Sequence, residues 1–221
     1  MTLAIFDLDH TLIDGDSDYL WGEYMVENGI VDESEYRQRN LVFYQQYQRG
    51  ELDNDTYLDF ALEPLTRYSL EQLHTWRADF IDHWIRPIIA AGTEELLRRH
   101  RDAGHELLII SATNLFITEP IAELLAVPTI LSTEPEIVDN RYTGRYLGTP
   151  TYQRGKVTVL EAWLADTGHD LSGSYFYSDS INDLALLERV ENPVVVHPDA
   201  ELQSIAASRG WKVIDLRQRP A

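Results

Sequence analysis

Apolar and polar positions along this chain follow two different patterns, and the change between them falls near residue 87. The first apolar run, Leu3–Leu8, is short and apolar on both faces, which is typical of a buried strand in a parallel sheet. From about Gly15 to Arg86 the apolar positions recur at helical spacing instead. Helices are predicted over residues 19–28, 33–49, 54–62 and 70–84. Because no part of this block has the pattern of a strand, we predict an all-helical insertion.

Capping residues support these four helices. Side chains that can accept a hydrogen bond from a helix N-terminus precede each of them. The candidates are Ser17 or Asp18, then Asp32, then Asp53 or Asn54, and finally Ser69 ahead of Gln72. The last pair has the spacing of a capping box.

Beyond Pro87 the pattern changes to alternating helices and strands. Helices are predicted over residues 93–103, 114–126, 155–166, 181–190 and 200–209, and strands over 106–111, 129–132, 174–178, 193–196 and 212–216. A hairpin is predicted from 136–138 and 142–146, around an Asp139-Asn140 turn. Regular alternation implies right-handed crossovers. We therefore expect an α/β fold: a Rossmann-like parallel sheet with helices on both faces, formed by residues 1–14 and 88–221, plus an inserted all-helical cap domain over 15–87.

The composition of the chain argues against several classes of protein. The chain has 221 residues and a formal net charge of -19, which argues against nucleic-acid binding because that requires a basic surface. It has no cysteine, no apolar run long enough to span a membrane and no basic segment typical of a signal peptide. We expect a cytoplasmic protein without membrane contact, either a monomer or a homodimer, whose partner is a small molecule.

Candidate chemistry lies where predicted strands end, because parallel α/β sheets bind ligands at the carboxyl ends of their strands. Asp7 and Asp9 directly follow the first strand, and Asp179 follows another. Carboxylates crowded in this way repel one another and favour a bound cation, and their hard oxygen atoms suit Mg²⁺. One carboxylate could then attack phosphorus while a second moves protons. The alternative interpretation of Asp7 and Asp9 is a capped turn after a strand.

Three other positions could complete a phosphate site. Ser111 and the N–H groups after it, Ala112 included, could hold a phosphate oxygen, although a serine there is commonly a helix cap. Lys156 is one of only two lysines and could neutralise phosphate, although it could equally be an exposed helix residue. Asp183 lies four residues after Asp179, where acids commonly interact with the helix dipole. Each alternative is reasonable singly, but their conjunction predicts a phosphate site.

The same segments resemble the four motifs of the haloacid dehalogenase superfamily. They are Phe6-Asp7-Leu8-Asp9-His10-Thr11-Leu12, Ile110-Ser111-Ala112-Thr113, Lys156, and Ser178-Asp179-Ser180-Ile181-Asn182-Asp183. The helical insertion resembles the cap of the phosphoserine-phosphatase-like branch. One departure is Ser178, which stands where the family usually has glycine, and we expect little consequence from it.

The resemblance implies a role for each site residue. Asp7 would be the nucleophile and Asp9 the general acid and base of a phosphomonoesterase that acts through an aspartyl-phosphate. Mg²⁺ would be held by Asp7, the Asp9 carbonyl and Asp179. Ser111, Ala112 and Lys156 would bind phosphate, with Asn182 and Asp183 supporting the metal and the lysine. A non-catalytic phosphometabolite-binding protein is the alternative of another class, but it would be expected to lack one of these residues.

The resemblance also narrows the range of substrates that we expect. Asp16 matches an acid that binds a substrate amine in phosphoserine phosphatases, whereas Ala61 stands where those enzymes use an arginine for the carboxylate, with Arg49 and Arg67 as possible replacements. This pattern suits an amine-bearing ester without a carboxylate, and histidinol phosphate is the predicted substrate.

Trp21 and Tyr24 could pack on the imidazole of histidinol phosphate, or could simply form the core of the cap. Phosphoserine, phosphoethanolamine and phosphocholine stay open. Closure of the cap is expected, with hinges near 14–15 and 86–87.

Overall fold

The computed structural model describes residues 1–217, and the last four residues of the predicted core domain lie outside this range. Six strands form a parallel sheet in the order β3-β2-β1-β6-β7-β8, and two more form an antiparallel hairpin. The bounds are β1 Leu3–Phe6, β2 Glu106–Ile110, β3 Thr129–Leu131, β4 Glu134–Val138, β5 Arg141–Leu147, β6 Tyr175–Ser178, β7 Asn192–Val196 and β8 Lys212–Ile214. The predicted fold class is confirmed. Within residues 1–217, no helix has the length and apolar content needed to cross a bilayer.

Both faces of the central strand are buried, which explains its uninterrupted apolar sequence. Ala4 and Phe6 point to one side of the sheet, into a core that includes α5 (Thr93–Asp102) and α6 (Leu115–Leu124). Leu3 and Ile5 point to the other side, against α7 (Arg154–Thr167), α8 (Leu184–Leu187) and α9 (Ala200–Arg209). Side chains alternate between the faces of a strand. A strand covered by helices on both sides must therefore be apolar at every position.

The insertion between β1 and α5 is helical, as predicted. Its α-helices are α1 Ser17–Glu27, α2 Glu33–Gln48, α3 Asn54–Leu62 and α4 Leu70–Phe80, followed by a single π-helical turn over Ile81–Ile85. The side chains of Asp32, Asp53 and Ser69 cap α2, α3 and α4, and Ser69 forms the predicted capping box with Gln72. The predicted cap of α1 was wrong. Asp16 caps this helix by accepting a hydrogen bond from the Tyr19 N–H, because the helix starts two residues earlier than its apolar pattern indicates.

Several other predicted bounds also shift. The predicted helix over 181–190 is a short 3₁₀ turn, Ile181–Asp183, followed by one turn of α-helix. The hairpin strands are longer than predicted, and the final strand ends at Ile214. The hairpin also contacts the insertion: β5 packs on α3 and on the 3₁₀ turn Glu63–Arg67. Pairing between the two strands extends from Val138 and Arg141 to Glu134 and Leu147, and the periodicity of either strand alone does not show where this pairing ends.

The chain enters and leaves the insertion through two segments that hydrogen-bond to each other. Ile13 and Ile89 form an antiparallel bridge, the Asp14 N–H donates to the Ile88 carbonyl at 2.7 Å, and the Ala90 N–H donates to the Leu12 carbonyl at 3.0 Å. The two connections to the sheet therefore lie side by side.

Candidate active site

The strand order brings the predicted site residues to one edge of the sheet. β1 lies between β2 and β6, so the segments that follow these three strands are neighbours. Asp7 follows β1, Ser111 follows β2, and Asp179 follows β6. Asp7 lies more than 100 positions from both Ser111 and Asp179, yet all three meet at the carboxyl ends of the central strands, where open α/β sheets bind ligands.

Lys156 is buried between two carboxylates. Its Nζ lies 2.7 Å from Asp7 Oδ1 and 2.8 Å from Asp183 Oδ2, and its side chain is 1% exposed. Burial alone would lower the pKa of Lys156, but Asp183 and Asp7 more than offset this and raise it. Burial raises the pKa of Asp7 to about 7, with Lys156 opposing the change and Asp183 adding to it. The lysine is therefore a fixed positive charge beside the predicted nucleophile.

Ser178 completes this ion pair. Its hydroxyl donates to Asp183 Oδ2 at 2.8 Å and accepts from the Ser180 N–H at 3.1 Å. The side chain is fully buried. We expected little consequence from a serine at this position, but the hydroxyl orients the carboxylate that holds Lys156. Asp183 therefore contacts both Lys156 and Ser178.

Asp7 and Asp179 both contact the hydroxyl of Thr11. Thr11 Oγ1 lies 3.4 Å from Asp7 Oδ2 and 3.1 Å from Asp179 Oδ1, and it also accepts from the Asp179 N–H at 3.1 Å. Burial raises the pKa of Asp179 well above its usual value, and repulsion from Asp7 and Asp183 raises it further. Two poorly solvated carboxylates on one hydroxyl form a hard, negatively charged donor set that fits a divalent cation.

Residues 1–217 contain no group of three or more histidine, cysteine, aspartate or glutamate side chains placed to hold a metal. The expected Mg²⁺ set has only two side-chain carboxylates, since its third protein ligand is a backbone carbonyl. The donor chemistry therefore fits Mg²⁺ with water and phosphate oxygens as its other ligands, the usual arrangement for this ion.

Asp9 is held away from this ion pair and faces the insertion. Its Oδ1 accepts from the Ser17 N–H at 2.6 Å, and its Oδ2 accepts from Thr113 Oγ1 at 2.8 Å and from Ser111 Oγ at 3.4 Å. The first of these bonds comes from α1 and the others from the segment after β2. Asp9 thus joins the core to the insertion and stands where the two meet.

Asn182 forms a second link of this kind. Its Nδ2 donates to the Tyr47 carbonyl of α2 at 3.0 Å, and its Oδ1 accepts from Gln153 Nε2 at 3.0 Å. Gln153 lies just before α7, the helix that carries Lys156, and its backbone has a φ of 49°. The side chain of Asn182 is therefore bonded to the insertion.

A cavity lies between the sheet edge and the insertion. It contains about 480 Å³ of space that is not filled by atoms, including the part open to solvent. Asp9, Ala112 and Thr113 line it on the core side, and α1 contributes Asp16 and Asp18. Six aromatic residues also line it: Tyr19, Phe43, Tyr44, Tyr47, Tyr57 and Tyr152.

The cavity is acidic. Burial raises the pKa of Asp16 well above its usual value, with Asp9 adding to the effect, and raises the pKa of Asp18 to about 7. Among residues 1–217, no lysine or arginine lines this cavity. Arg49 pairs with Glu51, and Arg67 pairs with Glu63. The two arginines considered as carboxylate anchors are therefore bonded on the exterior.

Trp21 and Tyr24 do not line the cavity. They are 3% and 2% exposed, their rings stack at 5.3 Å, and Trp21 also contacts Phe80 and Phe116 edge-on. This packing corresponds to the alternative interpretation, in which both residues belong to the hydrophobic core. It differs from their predicted contact with the substrate, since on an amphipathic helix a large aromatic residue can equally face a core or a ligand.

Four residues of this site had no role in the sequence prediction. Thr11 and Thr113 lie within the recognised motifs. A hydroxyl group at a motif position was therefore the sequence signal that could have identified them as site residues. Asp18 was considered only as a helix cap, and Tyr57 had no distinguishing signal, because the hydrogen bond between them joins residues 39 positions apart.

The fold and these strand-end motifs define a class of protein. The chain belongs to the haloacid dehalogenase-like hydrolase family, whose sequence profile matches residues 4–188.

Within this family the chain is a phosphatase, as its relatives indicate. It is 46% identical over 219 residues to a histidinol-phosphatase of Neisseria meningitidis, covering 97% of this chain and 99% of that protein. It is 31% identical over 222 residues to phosphoserine phosphatase SerB1 of Mycobacterium tuberculosis, covering 97% of this chain and 70% of the relative.

Solved structures share the fold of this chain. A Bordetella pertussis protein described as having unknown function superposes with a TM-score of 0.92 at 42% identity, covering 98% of this chain and all of the other. A substrate-bound phosphoserine phosphatase superposes with a TM-score of 0.68 at 17% identity, covering 99% and 93% of the two chains. At that identity the second likeness concerns the fold alone.

Proposed function

We propose that this phosphatase is a Mg²⁺-dependent phosphomonoesterase that acts through an aspartyl-phosphate on Asp7, and that its substrate is histidinol phosphate. The observation that carries the choice of substrate is the cavity beside Asp9, which is acidic and aromatic and has no basic residue among its described lining residues. Such a cavity wall favours a phosphate ester that carries a cation or a nitrogen-containing aromatic ring at the end away from its phosphate.

Mg²⁺ would be held by Asp7, Asp179 and the backbone carbonyl of Asp9. When bound, it supplies positive charge that stabilises the phosphate oxygens as charge develops on them. Lys156 supplies a second positive charge from the protein side, where Asp183 and Ser178 keep it in place.

The reaction then proceeds in two steps. A carboxylate oxygen of Asp7 attacks phosphorus, the bond between phosphorus and the ester oxygen breaks, and the carboxylic acid of Asp9 donates its proton to the departing alkoxide. In the second step the Asp9 carboxylate takes a proton from water, and the water oxygen attacks phosphorus. The bond between phosphorus and Asp7 breaks, which releases inorganic phosphate and restores both carboxyl groups to their starting states.

Ser111 and the backbone N–H of Ala112 are proposed to bind phosphate oxygens. Ser111 is 1% exposed, and its hydroxyl is near Asp9 and accepts from the Thr113 N–H at 3.2 Å. This hydroxyl is therefore oriented before substrate arrives, which lowers the entropic cost of holding the phosphate.

The proposed substrate follows from the charges that the cavity offers. Asp16 would bind the substrate ammonium group, while the carboxylate of phosphoserine would meet acidic side chains and no arginine. An unpaired anion in such a site is disfavoured by repulsion and by lost hydration. Phosphoethanolamine and phosphocholine carry a cationic nitrogen but have no ring that could pack on the aromatic residues of the cavity. The name of the Neisseria relative agrees with this choice.

We further propose that residues 15–87 act as a cap on a core domain formed by 1–14 and 88–221. The side-by-side connections at Asp14 and Ile88 provide a narrow joint for this motion. Closing the cap over bound substrate would exclude bulk water from the aspartyl-phosphate.

The test is a comparison of kcat/KM with Mg²⁺ for histidinol phosphate, phosphoserine, phosphoethanolamine and phosphocholine, with Asp7→Asn as the inactive control. We expect histidinol phosphate to be preferred by at least about tenfold, since the other esters leave polar groups of the site unpaired. A preference for phosphoserine would contradict the proposed substrate. Activity that survives in the Asp7→Asn variant would remove Asp7 from its role as nucleophile.

A further inference from the structure

The active-site cavity contains two carboxylates beyond those at the phosphate end. Asp16 and Asp18 both belong to the start of α1, and both line the cavity. Asp16 is partly engaged, because its Oδ1 caps the helix at Tyr19. A single substrate ammonium group accounts for only one of the two carboxylates, so Asp18 requires a separate explanation.

Asp18 is oriented by a residue from another helix of the cap. The hydroxyl of Tyr57, on α3, donates to Asp18 Oδ2, and both residues line the cavity. No other hydrogen-bond donor within residues 1–217 engages this carboxylate, so Oδ1 can accept a bond from a ligand. A fixed carboxylate with one free oxygen can accept a hydrogen bond from an N–H or O–H group of a ligand.

The surroundings of Asp18 restrict the type of donor. Aromatic rings, among them Phe43 and Tyr44, line the same cavity and favour a flat ring as the group that fills it. Burial raises the pKa of Asp18 to about 7, close to the usual value of an imidazole. A hydrogen bond between this carboxyl group and an imidazole is charge-assisted when either partner is ionised, and it is then shorter and stronger than a neutral hydrogen bond.

We propose that Asp18, oriented by Tyr57, is the specificity-determining residue that binds the ring N–H of an imidazole-bearing phosphate ester. This inference rests on the proposed function and assigns the two carboxylates to two groups of one substrate. Asp16 takes the ammonium group, and Asp18 takes the ring nitrogen. The competing explanation is that the Asp18–Tyr57 bond only joins α1 to α3.

The chain provides a matched control for that competing explanation. Tyr146 donates to Asp55 Oδ1 at 2.9 Å, which is another hydrogen bond between a tyrosine and a cap aspartate. Asp55 also lies on α3, but it is exposed and does not line the cavity. Replacing Asp55 therefore removes a similar bond without changing the proposed ring site.

The test uses two esters that differ only at the ring. Histidinol phosphate and phenylalaninol phosphate share the amine and the phosphate, but the second has no ring nitrogen. For the wild type we expect kcat/KM to favour histidinol phosphate by at least about a hundredfold, since a site with a buried polar group rejects an analogue that leaves this group unpaired. Asp18→Leu should lose about a hundredfold on histidinol phosphate and less than about threefold on phenylalaninol phosphate, because only the first ester uses the carboxylate.

Two further variants separate recognition from folding. Asp18→Asn keeps an oxygen for Tyr57 but loses the charge, and should lose about tenfold on histidinol phosphate alone, as for a hydrogen bond that no longer involves a charged group. Asp55→Leu should leave the ratio of the two esters unchanged. Binding of the product L-histidinol, measured by calorimetry, should weaken in the Asp18 variants and not in the Asp55 variant.

The possible failures are distinguishable. If the wild type does not prefer histidinol phosphate over phenylalaninol phosphate, the proposed substrate is wrong and the role of Asp18 is wrong with it. If the wild type has this preference and Asp18→Leu and Asp18→Asn retain it, or lose activity equally on both esters, only the role of Asp18 is overturned.

Discussion

Replacing Lys156 by methionine tests the buried ion pair at the centre of the site. The substitution keeps the length of the side chain but removes a charge that bonds to Asp7 at 2.7 Å and to Asp183 at 2.8 Å. Removing one partner of a buried ion pair typically costs about 3–5 kcal/mol, because the remaining charge has no partner. For a chain of this size, that corresponds to a decrease in Tm of roughly 6–20 °C. Urea unfolding followed by circular dichroism measures the free energy directly.

Lys212 provides the control, since it is the other lysine of the chain and is exposed on β8. Lys212→Met should change the free energy of unfolding by less than about 0.5 kcal/mol, as is usual for surface positions. In the folded Lys156→Met variant, kcat should fall by about 10²–10³-fold, the usual effect of removing one group that stabilises transition-state charge. If Lys156→Met is as stable as Lys212→Met, the ion pair does not stabilise the fold, and our interpretation of its geometry is wrong.

Three other predictions follow from contacts elsewhere. Ser178→Ala removes the hydroxyl that bonds to Asp183 at 2.8 Å, so urea unfolding should show a loss of about 1.5–3 kcal/mol, the usual contribution of a hydrogen bond to a charged group. Asn182→Ala removes the bond to the Tyr47 carbonyl, so steady-state kinetics should show a KM about fivefold higher, in proportion to one neutral hydrogen bond. Burial lowers the pKa of His100 from 6.5 to about 4, so this residue binds more protons in the unfolded chain between these values. Its own contribution to the free energy of unfolding should therefore decrease as pH falls from 6.5 to 4, opposite to the contribution of Asp7 and Asp18, whose pKa values burial raises to about 7. His100→Asn should remove this contribution, and an unchanged slope would contradict the assignment.

The sequence predicted the sheet edge of the site well, because its signals are local. Asp7, Ser111 and Asp179 each follow a short apolar strand, and parallel topology requires such ends to meet at one edge. The one further condition for these ends to be neighbours is that β1 lies between β2 and β6. Asp7 could thus be placed beside Asp179 without knowing any side-chain contact.

The cavity wall was less predictable, because it depends on contacts that are distant in sequence. Periodicity shows that Trp21 faces inwards but does not distinguish a hydrophobic core from a ligand site. The bond between Asp18 and Tyr57 depends on how α1 packs relative to α3. Ser178 shows a similar limit. Comparison with the glycine that the family usually has at this position suggested little consequence, but the role of the Ser178 hydroxyl depends on where Asp183 lies.

In the proposed mechanism, Asp7 of this phosphatase carries the phosphoryl group of histidinol phosphate during the reaction. Acid quenching of the enzyme within milliseconds of mixing with ³²P-labelled histidinol phosphate and Mg²⁺, followed by peptide mapping, tests it directly. We expect label on the peptide that contains Asp7, and none in the Asp7→Asn variant. Label on a different residue, or turnover of histidinol phosphate without any labelled peptide, would contradict it.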